Sequence, residues 1–376
     1  MKPEWLTSFI SRLTSNEKNN RRSQRRLSIE PLESRCLLTA LTVNSLDDNT
    51  IAADGQVTLR EAIVAANTDA MTDLGQTGSG ADQISFDPSL FSGGPQTLLL
   101  GGTELAITSE LTIAGPGASS LTIDARHDSR IFNINDAAGS QVAVGISNLT
   151  LTNGVAPVCG AILNVENLTL SNSTISGNTA NGSGGGGVAN NGTLTITGST
   201  ISGNATIGLH GGGVATTGTL AISDSTITGN TANDGGGGFI VSNGALTITD
   251  SSITGNTANL NGGGIFNDGA STVAGSTISG NSANKGGGFV ALLGALPGHP
   301  PSSGTLTIIG STITGNSATH SGGGIRTFSG VTTLGNSIVS GNLAPSSFAV
   351  EVGGETFTSA PNVFGHGGLT NSQAFN

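Results

Sequence analysis

Apolar residues recur at every second position in short runs, and the runs recur about every 25 residues. In TLTIT at 193–197, Leu194 and Ile196 face one way and the threonines the other. Leu220 and Ile222, Leu246 and Ile248, and Leu306 and Ile308 repeat the alternation. After each run comes an octet of the STISGNTA type, whose isoleucine is Ile175, Ile201, Ile227, Ile253, Ile278, Ile313 or Ile338. The steps between them are 26, 26, 26, 25, 35 and 25 residues. A glycine run then leads into a third apolar position: Val188, Val214, Phe239, Ile265, Phe289 or Ile325. Period-2 alternation predicts strands, because successive strand side chains point to opposite faces. It excludes helical repeats, and the LxxLxLxxN pattern of leucine-rich repeats is absent.

Three strands and three turns cannot bury their own apolar face. Stacking one unit on the next at roughly 4.8 Å aligns like residues and builds a continuous core. The pattern therefore predicts an all-β parallel β-helix, a solenoid of about nine or ten coils over residues 98–345. Asn178, Asn204, Asn230, Asn256, Asn281, Asn316 and Asn342 occupy one repeat position each. Stacked amides at such a position bond along the axis, so a structural ladder is expected there. Before residue 165 the units are less regular; LTIAG at 111–115, LTID at 121–124, FNI at 132–134 and LTLTNG at 149–154 read as earlier strands.

Three flanking segments lack the repeat. Residues 1–40 hold eight of the 13 Lys and Arg and read as a disordered basic targeting segment. Trp5, Leu6, Phe9, Ile10 and Leu13 have helical spacing within it. Residues 41–97 read as an N-terminal cap with a helix near 58–67, started by a Thr58/Glu61 capping box. Such an element covers the open end of a solenoid. Arg60 and Glu61 read as parts of this cap rather than a catalytic pair. Residues 346–376 form a C-terminal end segment, too short for a membrane β-barrel. An insertion near 291–304, stiffened by Pro297, Pro300 and Pro301, accounts for the 35-residue step.

Composition agrees with an ordered Gly-rich repeat: 60 glycines, 10% charged residues, no tyrosine and 35% hydrophobic residues in strict register. Beyond residue 35 the chain has five basic and 20 acidic residues, a balance that disfavours nucleic acid because nothing neutralises phosphate. Cys36 and Cys159 read as separate thiols, not a disulfide framework. No apolar run reaches the roughly 18 residues of a transmembrane helix.

IEPLESRCLL at 29–38 resembles the N-terminal "LEPR-xLL" motif of planctomycete surface proteins through Leu32, Glu33, Arg35, Leu37 and Leu38, with Ser34 in place of the motif's Pro. VTLREAIVAANTD followed by GADQISFDPSLF resembles the "CSLREA" region of bacterial β-helix surface proteins, with Val57-Thr58 in place of Cys-Ser. The repeat STIxGNxAxxGGGI, and GGGIFNDG at 262–269 above all, resembles the right-handed β-helix repeats of polymorphic outer membrane proteins. NSIVSGNLA and SAPNVFGHGGLTNSQAF resemble a "choice-of-anchor Q" ending. These resemblances imply right-handed coils and a place at the cell surface or outer membrane, or secretion. They do not imply an activity.

Chemistry-bearing residues are sparse. The densest set is Asp124, Arg126, His127, Asp128 and Arg130, of which Asp124, Arg126, Asp128 and Arg130 are the catalytic candidates if the chain is a polysaccharide lyase or hydrolase; a polar loop is the other reading. Asp224 and Asp250 hold equivalent positions in adjacent coils, where two carboxylates either bind a cation such as Ca²⁺ or are solvated turn residues. His210 and His320 lie too far apart to share a metal, Asp234 stands alone, and the basic residues Lys285 and Arg326 fall at different points of the coil. The expected function is therefore non-enzymatic: adhesion or envelope structure, with surface glycans or envelope proteins as partners. A carbohydrate-active enzyme is the alternative.

Overall fold

The computed structural model describes residues 39–365 except 52, 140, 209, 242–243, 293–304, 330, 346–351, 354–355 and 359–362. The basic head with its LEPR-xLL-like motif, and the insertion beyond Leu292, lie outside the described residues. The chain is an all-β parallel solenoid of about nine turns of about 26 residues, with one short α-helix. Each regular coil visits four sheets in turn. Thr193–Thr197 lies in sheet I, Thr200–Ser202 in sheet II, Ala205–Thr206 in sheet III and Val214–Thr216 in sheet IV; Thr219–Ser223 then re-enters sheet I. Among the described residues the sheets hold 12, 11, 7 and 10 strands, and every pairing between their strands is parallel.

Register follows the repeat. Ile175 lies beside Ile201, Ile201 beside Ile227 and Ile227 beside Ile253, all fully buried. Leu194, Leu220 and Leu246 form a second apolar file, and Val188, Val214, Phe239, Ile265, Phe289 and Ile325 a third. The short third sheet adds only alanines to the core, Ala156, Ala180, Ala232, Ala258, Ala283 and Ala318, so the cross-section is filled from the other three sides. The 35-residue step leaves the stack intact: Ile278 still pairs with Ile313.

The asparagine ladder is present. Nδ2 of Asn178, Asn204, Asn230, Asn256, Asn281 and Asn316 donates to Oδ1 of the next asparagine at 2.9–3.0 Å. Each Oδ1 also accepts the backbone N–H of the asparagine before it, as from Asn230 to Asn256 at 3.0 Å. The second amide hydrogen reaches back to an isoleucine carbonyl, as from Asn256 to Ile227 at 3.0 Å. A buried amide is thus satisfied entirely by its two neighbouring coils, which removes the cost of burying it.

A second file runs through the serines that open each octet. The N–H of Ser173, Ser199, Ser225, Ser251, Ser276 and Ser311 donates to the hydroxyl of the next serine at 3.1–3.2 Å. Each hydroxyl donates in turn to the carbonyl two residues before it, as Ser251 does to Thr249 at 2.7 Å. Asn164, Asn190 and Thr216 make a third, shorter file. The sequence pattern did not single out these two. The serines are common outward β and turn residues, and the third position changes identity from coil to coil.

Both ends of the stack differ from the expected boundaries. Among the described residues the first strands of sheet I are Thr39–Val43 and Asp82–Phe86, so the segment expected to be only a cap supplies strands as well. Leu41, Val43, Ile84 and Phe86 alternate like later strands, but the intervening helix breaks the period that would have revealed them. Beyond 345, Val352–Gly353, Thr356–Thr358 and Val363–Gly365 continue sheets IV, I and II. Helix α1 spans Leu59–Thr68, with both capping-box hydrogen bonds formed between Thr58 and Glu61. It buries Leu59, Ala62, Ile63, Ala65 and Ala66 and packs on Thr39–Val43, Asp82–Phe86 and Leu105–Ile107, two of which are terminal strands of their sheets. Arg60 clamps Asp48 through Nε at 2.7 Å and Nη2 at 2.8 Å and also donates to the carbonyls of Thr103 and Glu104.

Asp82 is fully buried beside this cap. Its Oδ1 accepts the Ser79 N–H at 3.0 Å, while Oδ2 has no hydrogen-bond partner. Burial raises its pKa above the ordinary carboxylate value, the Ser79 bond opposes this, and Asp69 adds repulsion.

Two predictions follow from these contacts. Asn256→Ala strands donors on Asn230 and should cost about 3 kcal/mol in urea unfolding, whereas Asn259→Ala, on the exposed Asn233–Asn259 pair, should cost under about 0.5 kcal/mol. Because the folded-state pKa of Asp82 is raised, its destabilising effect is absent below the unfolded pKa and complete above the folded one. Asp82→Asn should therefore raise Tm at pH 7 and give no gain at pH 3, and an equal change at both pH values would contradict this assignment.

Candidate functional site

In the early coils Asp124, Arg130 and Glu104 are tied into structural hydrogen bonds. Asp124 ends the strand Leu121–Asp124; its Oδ1 accepts the Arg126 N–H at 2.7 Å and its Oδ2 accepts Asn153 Nδ2 at 2.9 Å. The turn that follows holds Arg126 and His127 at φ 56° and 65°. Arg126, His127 and Asp128 are exposed. Arg130 turns to the neighbouring coil, where its Nε meets Glu104 Oε2 at 3.0 Å; Glu104 Oε1 also accepts Asn133 Nδ2. The structure therefore gives Asp124 and Arg130 different partners, and no ion pair joins any two of Asp124, Arg126, Asp128 and Arg130 among the described residues.

Asp224 and Asp250 stand at the corner between sheets I and II. The residue there has a left-handed backbone in coil after coil: Asn172, Gly198, Asp224, Asp250, Gly275, Gly310 and Asn336 have φ between 47° and 58°. Only Gly, Asn and Asp adopt that conformation readily. Backbone geometry thus accounts for both aspartates. Among the described residues no third His, Cys, Asp or Glu joins them to complete a metal-ligating group.

A groove runs along the outer face of sheet IV. Its floor is Leu163, Ala189, Ala215 and Ile240, one residue from each of four successive coils. The two alanines between larger neighbours open a space of about 220 Å³. Asn191, Thr216 and Thr217 line one side, and Thr217 Oγ1 donates to Asn191 Oδ1 at 3.0 Å. Val158, Ser183, Gly184 and His210 complete the lining. His210 lies beside Gly235 in a parallel bridge, which brings Asp234 next to its ring. The distance from His210 Nδ1 to Asp234 Oδ2 is 3.4 Å, with both side chains partly exposed. Asp234 is therefore not alone. Its 24-residue separation from His210, close to one coil, was the available signal.

The other reactive groups are engaged elsewhere. Cys159 is a free, buried thiol; its Sγ lies 2.9 Å from the Ile162 carbonyl and accepts the Ala189 N–H. Burial pushes its pKa up to about 12, against a smaller opposing effect from the Arg130 charge. Lys285 and Arg326 converge on one aromatic ring, 5.7 and 5.1 Å from the centre of Phe328. The register places them in adjacent coils, and Phe328 lies two residues beyond Arg326.

Residues 99–283 match a family described as "Right handed beta helix region". Together with the stacked parallel sheets, this makes the protein a right-handed parallel β-helix. A solved structure titled "Geobacillus virus E2 - ORF18" is similar at 12% identity and a TM-score of 0.42, over 89% of this chain and 59% of that one. The chain thus spans under two thirds of that protein's length. No curated protein matches the sequence. Among the described residues no helix is long and apolar enough to cross a membrane.

A thiol this buried and this weakly acidic does not react as a thiolate. In a Cys36→Ser protein, Cys159 should stay unlabelled by a disulfide reagent at pH 8 until denaturant is added. Rapid labelling of the native chain would show the site to be open.

Proposed function

We propose that the protein is an exported cell-surface solenoid, outer-membrane-associated or secreted, whose regular coils act by display and adhesion and not by turnover. One observation carries this reading. On sheet II the outward residues of six consecutive coils are all hydroxyl-bearing: Thr174 and Ser176, Thr200 and Ser202, Thr226 and Thr228, Ser252 and Thr254, Thr277 and Ser279, and Thr312 and Thr314. They form an uncharged, in-register surface without an ionisable group to perform chemistry. Such a face suits surface glycans or envelope proteins as partners. The LEPR-xLL-like and CSLREA-like segments and the C-terminal resemblance support a place at the envelope.

The reading is tested by fractionating native cells, shaving intact cells with protease and probing a glycan array with the purified chain. Recovery in the envelope or medium, loss on shaving and binding without cleavage of the glycan chain are expected. Purely cytoplasmic recovery, or release of unsaturated oligosaccharides from polyuronates, would overturn it.

A further inference from the structure

We propose that the groove on sheet IV is a hydrolytic site for short-chain carboxylic esters, with Ser183 as nucleophile, His210 as its base and Asp234 positioning the imidazole. This goes beyond the display reading, which concerns the regular faces of the solenoid. The three residues come from three successive coils and occupy the irregular stretch ahead of each glycine run. Register brings them together. His210 bridges Gly235, which sets Asp234 beside it in the following coil. Gly208 packs directly on Gly182, which sets Ser183 beside the same stretch of the preceding coil. Ser183 and His210 line the same groove.

The chemistry of the ring fits. Nδ1 is the nitrogen that faces the carboxylate, at 3.4 Å, leaving Nε2 for the nucleophile. That Nδ1 is buried and has no hydrogen bond, so the contact has room to tighten when a substrate excludes water. Ser183 is exposed; the N–H groups of Gly186 and Gly187 are committed to the Gly211 and Gly213 carbonyls of the next coil, so the oxyanion falls to the N–H groups of Gly184 and Gly185 that directly follow the nucleophile, where no side chain intervenes. The floor of Leu163, Ala189, Ala215 and Ile240 is uncharged and apolar. At about 220 Å³ the groove is smaller than the roughly 300 Å³ lower bound of drug-sized pockets, which selects an acetyl or similarly short acyl group.

The step balances with water as the only co-reactant. Ser183 Oγ bonds to the ester carbonyl carbon while its proton passes to His210 Nε2. The carbon–oxygen bond to the alcohol then breaks, and the alcohol leaves with that proton. Water, deprotonated by the same nitrogen, attacks the acyl-serine, and the carboxylic acid departs as the Ser183 hydroxyl is restored.

The test uses the full chain and p-nitrophenyl acetate, with a fluorophosphonate probe read by peptide mass spectrometry. Hydrolysis above the buffer rate and an adduct on Ser183 are expected. Ser183→Ala and His210→Gln should each lower kcat/KM by about 100-fold or more, with unchanged melting curves. Asp234→Asn should lower kcat with KM and the melting curve unchanged, a split that loss of packing alone would not produce, and Asp234→Glu should recover part of the rate. No adduct at Ser183, or equal rates in all variants, would overturn the assignment. The outcome is independent of cell fractionation: an inactive protein at the surface would sink only this proposal, and an active cytoplasmic one only the display reading.

Discussion

In-register stacking of coils through buried side-chain hydrogen bonds is the constraint on which the rest of this structure depends. A parallel sheet can slip by one residue, and a slip turns every inward side chain outward. The asparagine file opposes this twice. Each amide must meet both the amide and the backbone N–H of its neighbour, and a shifted coil would leave several buried polar groups unpaired. The serine file fixes the opposite end of the same sheet II strand. The apolar files supply the bulk of the driving force, but isoleucine on isoleucine is tolerant of small shifts; the polar files are not.

Stacking also dictates the composition. Neighbouring coils approach so closely at the glycine runs that a Cβ on Gly237 would lie 2.6 Å from the Thr257 backbone nitrogen and collide with the Gly263 carbonyl. The corner before each ladder asparagine is left-handed, at φ 61–69° from Gly203 to Gly341. Much of the glycine content follows from those two demands. What remains on the outer faces is largely threonine and serine, which suit a pleated surface and carry no charge. A solenoid built this way has a rigid, repetitive exterior, and chemistry can enter only where the repeat relaxes. The stretch before each glycine run is such a place: Ser183, His210 and Asp234 differ from coil to coil while the glycines after them do not.

The repeat made most of the fold legible. The spacing of Ile175 to Ile338 gave the coil, alternation gave the inward residues, and the recurrent Gly-Asn pair gave the ladder. The Thr58/Glu61 pair marked the helix start to within one residue. The candidate sites were less legible. Asp224 and Asp250 are equivalent in sequence, and the left-handed backbone that they share, invisible in the string of letters, is a sufficient reason for aspartate there. Asp124 to Arg130 looked dense because they are adjacent in sequence, yet in space they engage Asn153 and Glu104 in opposite directions.

The sequence by itself determined the architecture, the period, the buried files and the basic head, because in a solenoid each contact is made by residues about one period apart and the chain states that period openly. Only the tertiary structure decided that the stack continues before residue 98 and after residue 345, that the serines form a second ladder, and that His210 meets Asp234 in the adjacent coil. The reason is physical. These features rest on backbone dihedral angles and on lateral offsets of one or two residues between coils, and a repeat read at a resolution of one coil does not contain them.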